Sequence, residues 1–384
     1  MGTATLCLEI SGRSDPGMVR RDNEDGFLVT DLTNGGPGFR GDFGGLVIDS
    51  GNALLIVADG MGGAAAGEVA SGMALDRMND WFRETRPGSD LSTTDAETLL
   101  HQAIKLSNSA VYEKAVANPR LRGMGTTLTC SWIQGDRGCF AQIGDSRAYL
   151  VRDGELRRLT EDQSLRQHLV SIGKITAEEA ETMEESNVIL QALGVSASVA
   201  PVMSRLGIRP GDLLLLCSDG LNAGATDEEI ARVLAGAGDL DAAADELVRV
   251  ANDNGGPDNI TVILARVHDA DSVDVKQGRA VGSRSTAADQ TQELVSLSGD
   301  MGAALAVSRQ EPAPAAVALE ATAGSAGSGL DAEIEQTREV IAPLSQLPDP
   351  NTAAAWYRNP MFFWGAVGAV ALGGLLLAIL WVLS

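Results

Sequence analysis

Two uniformly apolar runs, Leu54 to Ala58 and Leu213 to Cys217, lead into Asp-Gly pairs at Asp59-Gly60 and Asp219-Gly220. Runs this short suit strands covered on both faces better than helices, which need about ten residues or more. Further β-prone runs lie at 126–133, 138–143, 147–153 and 259–267. Asp153-Gly154, between RAYLVR and ELRRLT, is a two-residue hairpin signal, because both central positions of such a turn need positive φ. Helices are marked by Thr-x-x-Glu capping boxes at Thr94/Glu97, Thr176/Glu179 and Thr226/Glu229. Ala70, Ala74, Met78 and Trp81 share one helical face, and Leu99, Ala103, Leu106 and Ala110 share another. Strands gathered in hairpins, with helices in pairs, predict an α+β layered sandwich and not a parallel doubly wound sheet.

The texture of the chain then changes twice. Residues 1–268 carry the strand and helix signals. Residues 269–355 are rich in Ala, Gly, Ser, Thr and Pro and lack aromatics, which predicts a flexible low-complexity tether. Residues 356–384 read as a C-terminal transmembrane anchor. The 24 residues from Met361 to Ser384 hold no charge, and at about 1.5 Å per residue they span a bilayer core of about 30 Å. Trp356, Tyr357 and Trp364 at one edge and Trp381 at the other fit interfacial belts, and Arg358 places the N-terminal side in the cytoplasm. The N-terminus shows neither a signal peptide nor a myristoylation pattern.

Charge narrows the function classes. With 29 Lys and Arg against 52 Asp and Glu, the net charge of -23 repels a polyphosphate backbone, so nucleic acid is excluded as a partner. Cys7, Cys130, Cys139 and Cys217 form no C-x-x-C pair and read as buried thiols, and the three histidines are too scattered for a zinc site.

The acidic residues supply the candidate chemistry. An Asp at the end of a buried strand is held on a rigid element and aimed at the sheet edge, and the following Gly lets the backbone turn and approach a ligand closely. Asp59 and Asp219 fit that description. Glu24 and Asp25, Asp145, and Asp258 with Asn259 also adjoin strand-like sequence. No spacing fixes a basic residue opposite any of them, and unpaired carboxylates that meet in space must hold cations. An all-oxygen set without His or Cys selects a hard ion, Mg²⁺ or Mn²⁺. Arg20 can grip an anion by its guanidinium fork.

In order, GMVRRDNEDG, VADGMGG, GMGTTL, GDSRAYLVRDG, LTEDQS, SDGL and GGPDNITV resemble the motifs of the PP2C-type metal-dependent protein phosphatases, in their compact bacterial form. The resemblance covers roughly residues 10 to 268. It implies a four-layer α/β/β/α sandwich of two central antiparallel sheets flanked by helices. It implies two Mn²⁺ or Mg²⁺ ions, with Asp59 bridging them, the Gly60 carbonyl on one, and Asp219 and Asp258 completing the pair. Asp145 would help Asp219 hold a third, weaker ion, Glu24 and Asp25 would hold the waters around the metals, and Asn259 would support Asp258. Arg20 would bind the substrate phosphate. The reaction implied is hydrolysis of phosphoserine and phosphothreonine in proteins by a bimetal-activated water, with no covalent enzyme intermediate. The implied partners are phosphorylated proteins, including a serine/threonine kinase or its substrates, met at the inner face of a membrane. The alternative is a pseudophosphatase or phosphoprotein-binding regulator at the membrane, which measured turnover would exclude.

Three positions depart from common members of the family. Met61 stands where some carry His as general acid, Gln163 where His is common, and Ser186 where a basic residue is common. The last two fall in the segment from about Asp162 to Gly194, the flap beside the cleft in relatives, and bear on substrate choice. The glycine-rich stretch at 34–45 reads as an exposed hairpin extension.

Overall fold

The computed structural model describes residues 6–35, 38–62, 66–85, 93–176, 179–180, 183 and 188–270. The anchor and nearly all of the tether expected from the sequence lie outside the described residues. Among the described residues no helix is long and apolar enough to cross a membrane.

The strands of the described residues run in chain order as β1 (Leu6–Asp15), β2 (Asp25–Asp31), β3 (Phe43–Ile48), β4 (Asn52–Met61), β5 (Gly125–Thr126), β6 (Leu128–Gln134), β7 (Arg137–Ile143), β8 (Arg147–Arg152), β9 (Glu155–Arg158), β10 (Val202–Gly207), β11 (Leu213–Cys217) and β12 (Ile260–Asp269). The helices are α1 (Ala66–Thr85), α2 (Thr93–Ala117), α3 (Leu165–Ser171), α4 (Asp219–Gly224), α5 (Asp227–Ala235) and α6 (Leu240–Asp253). One sheet has the order β3-β1-β12-β11-β8-β9 and the other β10-β7-β6-β4-β2, with every pairing antiparallel.

The four layers follow from strands that are apolar on both faces. In β4, Leu54, Ile56 and Ala58 pack toward α1 and α2, while Ala53, Leu55 and Val57 pack toward the other sheet. In β11, Leu214 and Leu216 face the inter-sheet core, and Leu213, Leu215 and Cys217 face α4, α5 and α6. Each fully buried aliphatic side chain contributes about 1.5–3 kcal/mol, so the continuous apolar runs fix which strands are central. The order helix, sheet, sheet, helix is the sandwich that the motifs imply.

Local signals hold with one rotation. Asp153 (φ 55°) and Gly154 (φ 83°) turn the β8–β9 hairpin. Thr226 and Glu229 form a reciprocal capping box at α5, and Thr176 and Glu179 exchange the same two bonds. Glu97 points its carboxylate at Arg205 of β10, tying α2 to the sheet edge; the Thr94 side chain lies outside the described residues. The buried face of α2 is Leu100, Ala103, Ile104, Ser107 and Val111, and Leu106 is exposed. The helix is rotated because Leu100, Ile104 and Val111 make a larger aliphatic face than Leu99, Leu106 and Ala110. Asn108 is drawn in beside that face, where its Oδ1 accepts from Gly194 N (2.9 Å) and its Nδ2 donates to Ser196 O (3.0 Å).

The 34–45 stretch is stitched down at its far end. Phe39 exchanges backbone hydrogen bonds with Val29, and Phe43, 5.8 Å from Phe27 ring to ring, opens β3 on the edge of the first sheet. All four cysteines are buried free thiols, and burial pushes Cys217 up to about 12.

Candidate metal centre

Asp25 and Asp59 come from one sheet as direct cross-strand partners in β2 and β4. Asp219, in the first turn of α4 after β11, and Asp258, two residues before β12, come from the other sheet. Arg20 and Asp145 lie on two of the crossings between sheets, in the β1–β2 and β7–β8 loops. The five carboxylates therefore reach one edge of the sandwich from every layer boundary that opens there, and each of the other four raises the pKa of Asp59.

The two Asp-Gly pairs converge for a reason different from turning. Neither Gly60 nor Gly220 has positive φ. A Cβ on Gly60 would lie 2.3 Å from Gly67 O and 2.5 Å from Glu24 O, and one on Gly220 would lie 2.0 Å from Asn259 O. The missing side chain lets β4 touch the start of α1 and lets α4 touch the Asp258–Asn259 loop. That close approach brings the two halves of the site together.

Backbone bonds hold each carboxylate in place. Asp59 N–H donates to Thr127 Oγ1 (3.0 Å), Thr127 N–H donates to Asp59 O (2.8 Å), and the Thr126 hydroxyl donates to the same oxygen (2.9 Å). The Thr127 and Ser146 hydroxyls share a 2.7 Å bond, which ties the Asp59 strand to the Asp145 loop. Gln163 is buried beneath that loop. Its Oε1 accepts from Gly144 N (2.9 Å) and Gln191 Nε2 (3.1 Å), and its backbone N–H donates to Gly144 O (3.0 Å). Asn259 clamps the Arg20 segment: Nδ2 donates to Pro16 O and Asp22 O, both at 3.0 Å, and Oδ1 accepts from Glu24 N at 2.8 Å. Gly60 N–H and the Ser71 hydroxyl both donate to Glu24 O.

The electrostatics are those of a site built for positive charge. Burial, reinforced by Asp219 and Asp258, pushes Asp25 up to about 7. Both of its carboxylate oxygens are buried without a hydrogen-bond partner. The Ser218 and Thr261 hydroxyls lie near enough to moderate the shift, but they are engaged with Asn259 O and Ser14. Burial with Asp219 and Asp162 pushes Asp145 up to about 8, and its Oδ1 is also buried and unpartnered. Asp59 is raised well above the usual carboxylate range by burial and then by Asp25, and Asp219 by burial and Asp258. Asp59 and Asp219 keep a partial opening to solvent while protein surrounds them, as at the floor of a recess.

One cation is fixed at the rim. Arg20 Nη2 donates to Asp258 Oδ2 at 2.7 Å, a partner that sequence spacing did not reveal. Behind the site Arg147 forks onto Asp162 at 2.9 and 2.6 Å and lowers both Asp145 and Asp219. Among the described residues no three acidic, imidazole or thiol side chains form a ready-made cage. Mg²⁺-like ions keep several waters and need only one or two carboxylates each, so an open arrangement of orphaned carboxylates fits them. Sequence reasoning missed Thr127, Ser146, Gly67 and the hub role of Gln163. The first two were visible only as hydroxyls inside GMGTTL and GDSRAYL.

The chain is similar to proteins of one family. A family model described as Protein phosphatase 2C matches residues 39–265. The serine/threonine protein phosphatase PstP of Mycobacterium tuberculosis is 39% identical over 271 residues, 71% of this chain and 47% of that protein. This chain thus spans about half the length of that relative. The serine/threonine phosphatase stp of Listeria monocytogenes is 37% identical over 252 residues, 66% of this chain and 93% of that protein. The crystal structure of the PstP catalytic domain with two manganese ions superposes with a TM-score of 0.57 at 39% identity, covering 69% of this chain and 100% of that one.

Proposed function

Since this chain belongs to the protein phosphatase 2C family, we propose that it hydrolyses phosphoserine and phosphothreonine in proteins at the edge where Arg20 meets the five aspartates. The carrying observation is the set of buried, unpartnered oxygens on Asp25 and Asp145 beside Asp59 and Asp219, raised together and without a fixed cation among them.

Asp59, Asp219, Asp258 and the Gly60 carbonyl would hold two Mn²⁺ or Mg²⁺ ions, with Asp145 on a third. Such ions supply Lewis-acid stabilisation of phosphoryl charge and a water of lowered pKa. Glu24 and Asp25 orient waters at the floor of the recess. Arg20, half-exposed at the rim, binds the substrate phosphate and neutralises charge on its oxygens during transfer. Asn259 fixes the backbone on both sides of Arg20, so the fork is held in position before substrate arrives. Met61 has no proton to give, so the leaving alkoxide takes its proton from water.

The charge-free segment 361–384 supports a membrane anchor and the 269–355 composition supports a tether, with the catalytic domain, residues 1–268, on the cytoplasmic side. Partners are phosphorylated proteins, among them a serine/threonine kinase or its substrates. The deciding experiment is phosphate release from a phosphothreonine peptide by the full chain, with Mn²⁺ and with chelator, for wild type and Asp219→Ala. Metal-dependent release lost in the variant is expected, and no release by wild type defeats the reading. Membrane fractionation of the full chain and of a chain ending at 355 tests the anchor, which fails if both remain in the membrane pellet.

A further inference from the structure

Resting on the phosphatase reading above, we propose that Met18 and Val19 form an apolar rim that selects a hydrophobic residue next to the phosphorylated one in the substrate. The two side chains are 69% and 67% exposed. They are adjacent in sequence and directly precede Arg20, whose guanidinium reaches the recess at Asp258. The other exposed large hydrophobics among the described residues, Phe39, Leu106, Val116, Ile172 and Val195, have no sequence neighbour among them.

The exposure does not come from a loose segment. Met18 N–H donates to Gly256 O at 2.8 Å, and Gly17 N–H donates to Asp15 Oδ1 at 2.8 Å. Asn259 holds Pro16 O on one side and Asp22 O on the other. Gly17 lies so close to the Asp258 backbone that a Cβ would come within 2.2 Å of Asp258 O. Two apolar side chains are therefore presented to solvent from a braced backbone, which lowers the ordering cost of receiving a partner group.

Continuity with the anion grip and local charge identify the occupant. Arg20 directly follows the pair, so a peptide whose phosphate sits on its guanidinium runs its flanking residues, about 3.3–3.6 Å apart when extended, past the loop that presents Met18 and Val19. Arg21 is the other cation of the segment, but Asp15, Asp22 and Glu24 outnumber it, on a chain of net charge -23. An acidic neighbour is repelled and an apolar one buries surface against Met18 and Val19.

The test is steady-state kinetics of the Mn²⁺-loaded full chain on three phosphothreonine peptides that differ only in Leu, Ser or Glu at the flanking positions. Wild type should favour Leu over Ser by about tenfold in kcat/KM, mostly through KM, with Glu lowest. Met18→Ser, Val19→Ser and the double variant should bring the Leu-to-Ser ratio toward one. Equal kcat/KM for Leu and Ser peptides in wild type overturns the proposal, as does a double variant that keeps the wild-type ratio. A uniform rise on all three peptides would show that the pair holds a segment of the chain itself, and also overturns it. A uniform fall would make the segment a support for Arg20 and overturns it equally. Hydrolysis of none of the peptides by wild type defeats the phosphatase reading itself, and the rim falls with it.

Discussion

Arg20 Nη2 and Asp258 Oδ2 are joined at 2.7 Å, so the residue proposed to grip phosphate is bound to a carboxylate proposed to hold metal. Asp258 cannot serve both partners fully, and the guanidinium competes with a cation for it. Arg20→Gln should lower kcat/KM on a phosphopeptide by about 100-fold or more, the scale of losing a charged transition-state contact. The same variant should bind Mn²⁺ no more weakly than wild type by calorimetric titration. A clear loss of Mn²⁺ affinity would show that the ion pair builds the site.

The raised carboxylates set the pH response of the metal-free protein. Asp25 and Asp145 hold protons in the folded state to about 7 and about 8, against 3.8 for an ordinary Asp. Between those values the folded state carries more protons than the unfolded one, so their stabilising contribution is complete at low pH and declines as pH rises. In chelator, Tm should fall from about pH 5 to about pH 8. Mn²⁺ should raise Tm and flatten that slope, because it binds the native state and replaces the protons. A chelated protein whose Tm climbs over the same range contradicts the burial of these groups.

Gln163 connects the Asp145 loop to the base of the flap through Gly144 and Gln191. Gln163→Ala leaves a buried Gly144 N–H without its acceptor, and should cost about 1–3 kcal/mol in chemical denaturation. Unchanged stability would mean that water replaces the amide.

Gly60 and Gly67 face the same crowding with different tolerance. Gly60→Ala drives a methyl into two backbone carbonyls, while Gly67→Ala meets the carboxylate end of Glu24, 2.6 Å from Cδ. The first should cost about 3 kcal/mol and the second about 1 kcal/mol or less, since a flexible side chain can swing away. Thermal melts of both variants check the order, and equal losses would refute it.

Much of this was legible in the sequence because it depends on local pattern. The runs at Leu54 and Leu213 announce central strands, Asp153-Gly154 a hairpin, and the ordered Asp motifs a family. What escaped depends on residues far apart in the chain. Asn108 of α2 reaches Gly194, and Glu97 reaches Arg205 on β10. β1 and β10 carry too mixed a pattern, LCLEISGRSD and VMSRLG, to declare themselves as strands. Gly60 and Gly220 read as residues that turn the chain and let a ligand approach, and only packing shows that backbone carbonyls press where their side chains would be.

Asp25 and Asp59 ride on one sheet, and Asp219 and Asp258 are tied to the other. The distance between the two pairs is therefore set by how thickly Phe27, Leu55, Val57, Leu216 and Ile263 fill the space between the sheets. Those hydrocarbon side chains act as spacers for an ionic site they never touch. Thinning the filling by one large residue would bring like-charged groups closer together, and thickening it would open them beyond the span of a shared ion. The spacing of the carboxylates in this molecule is calibrated by its oil.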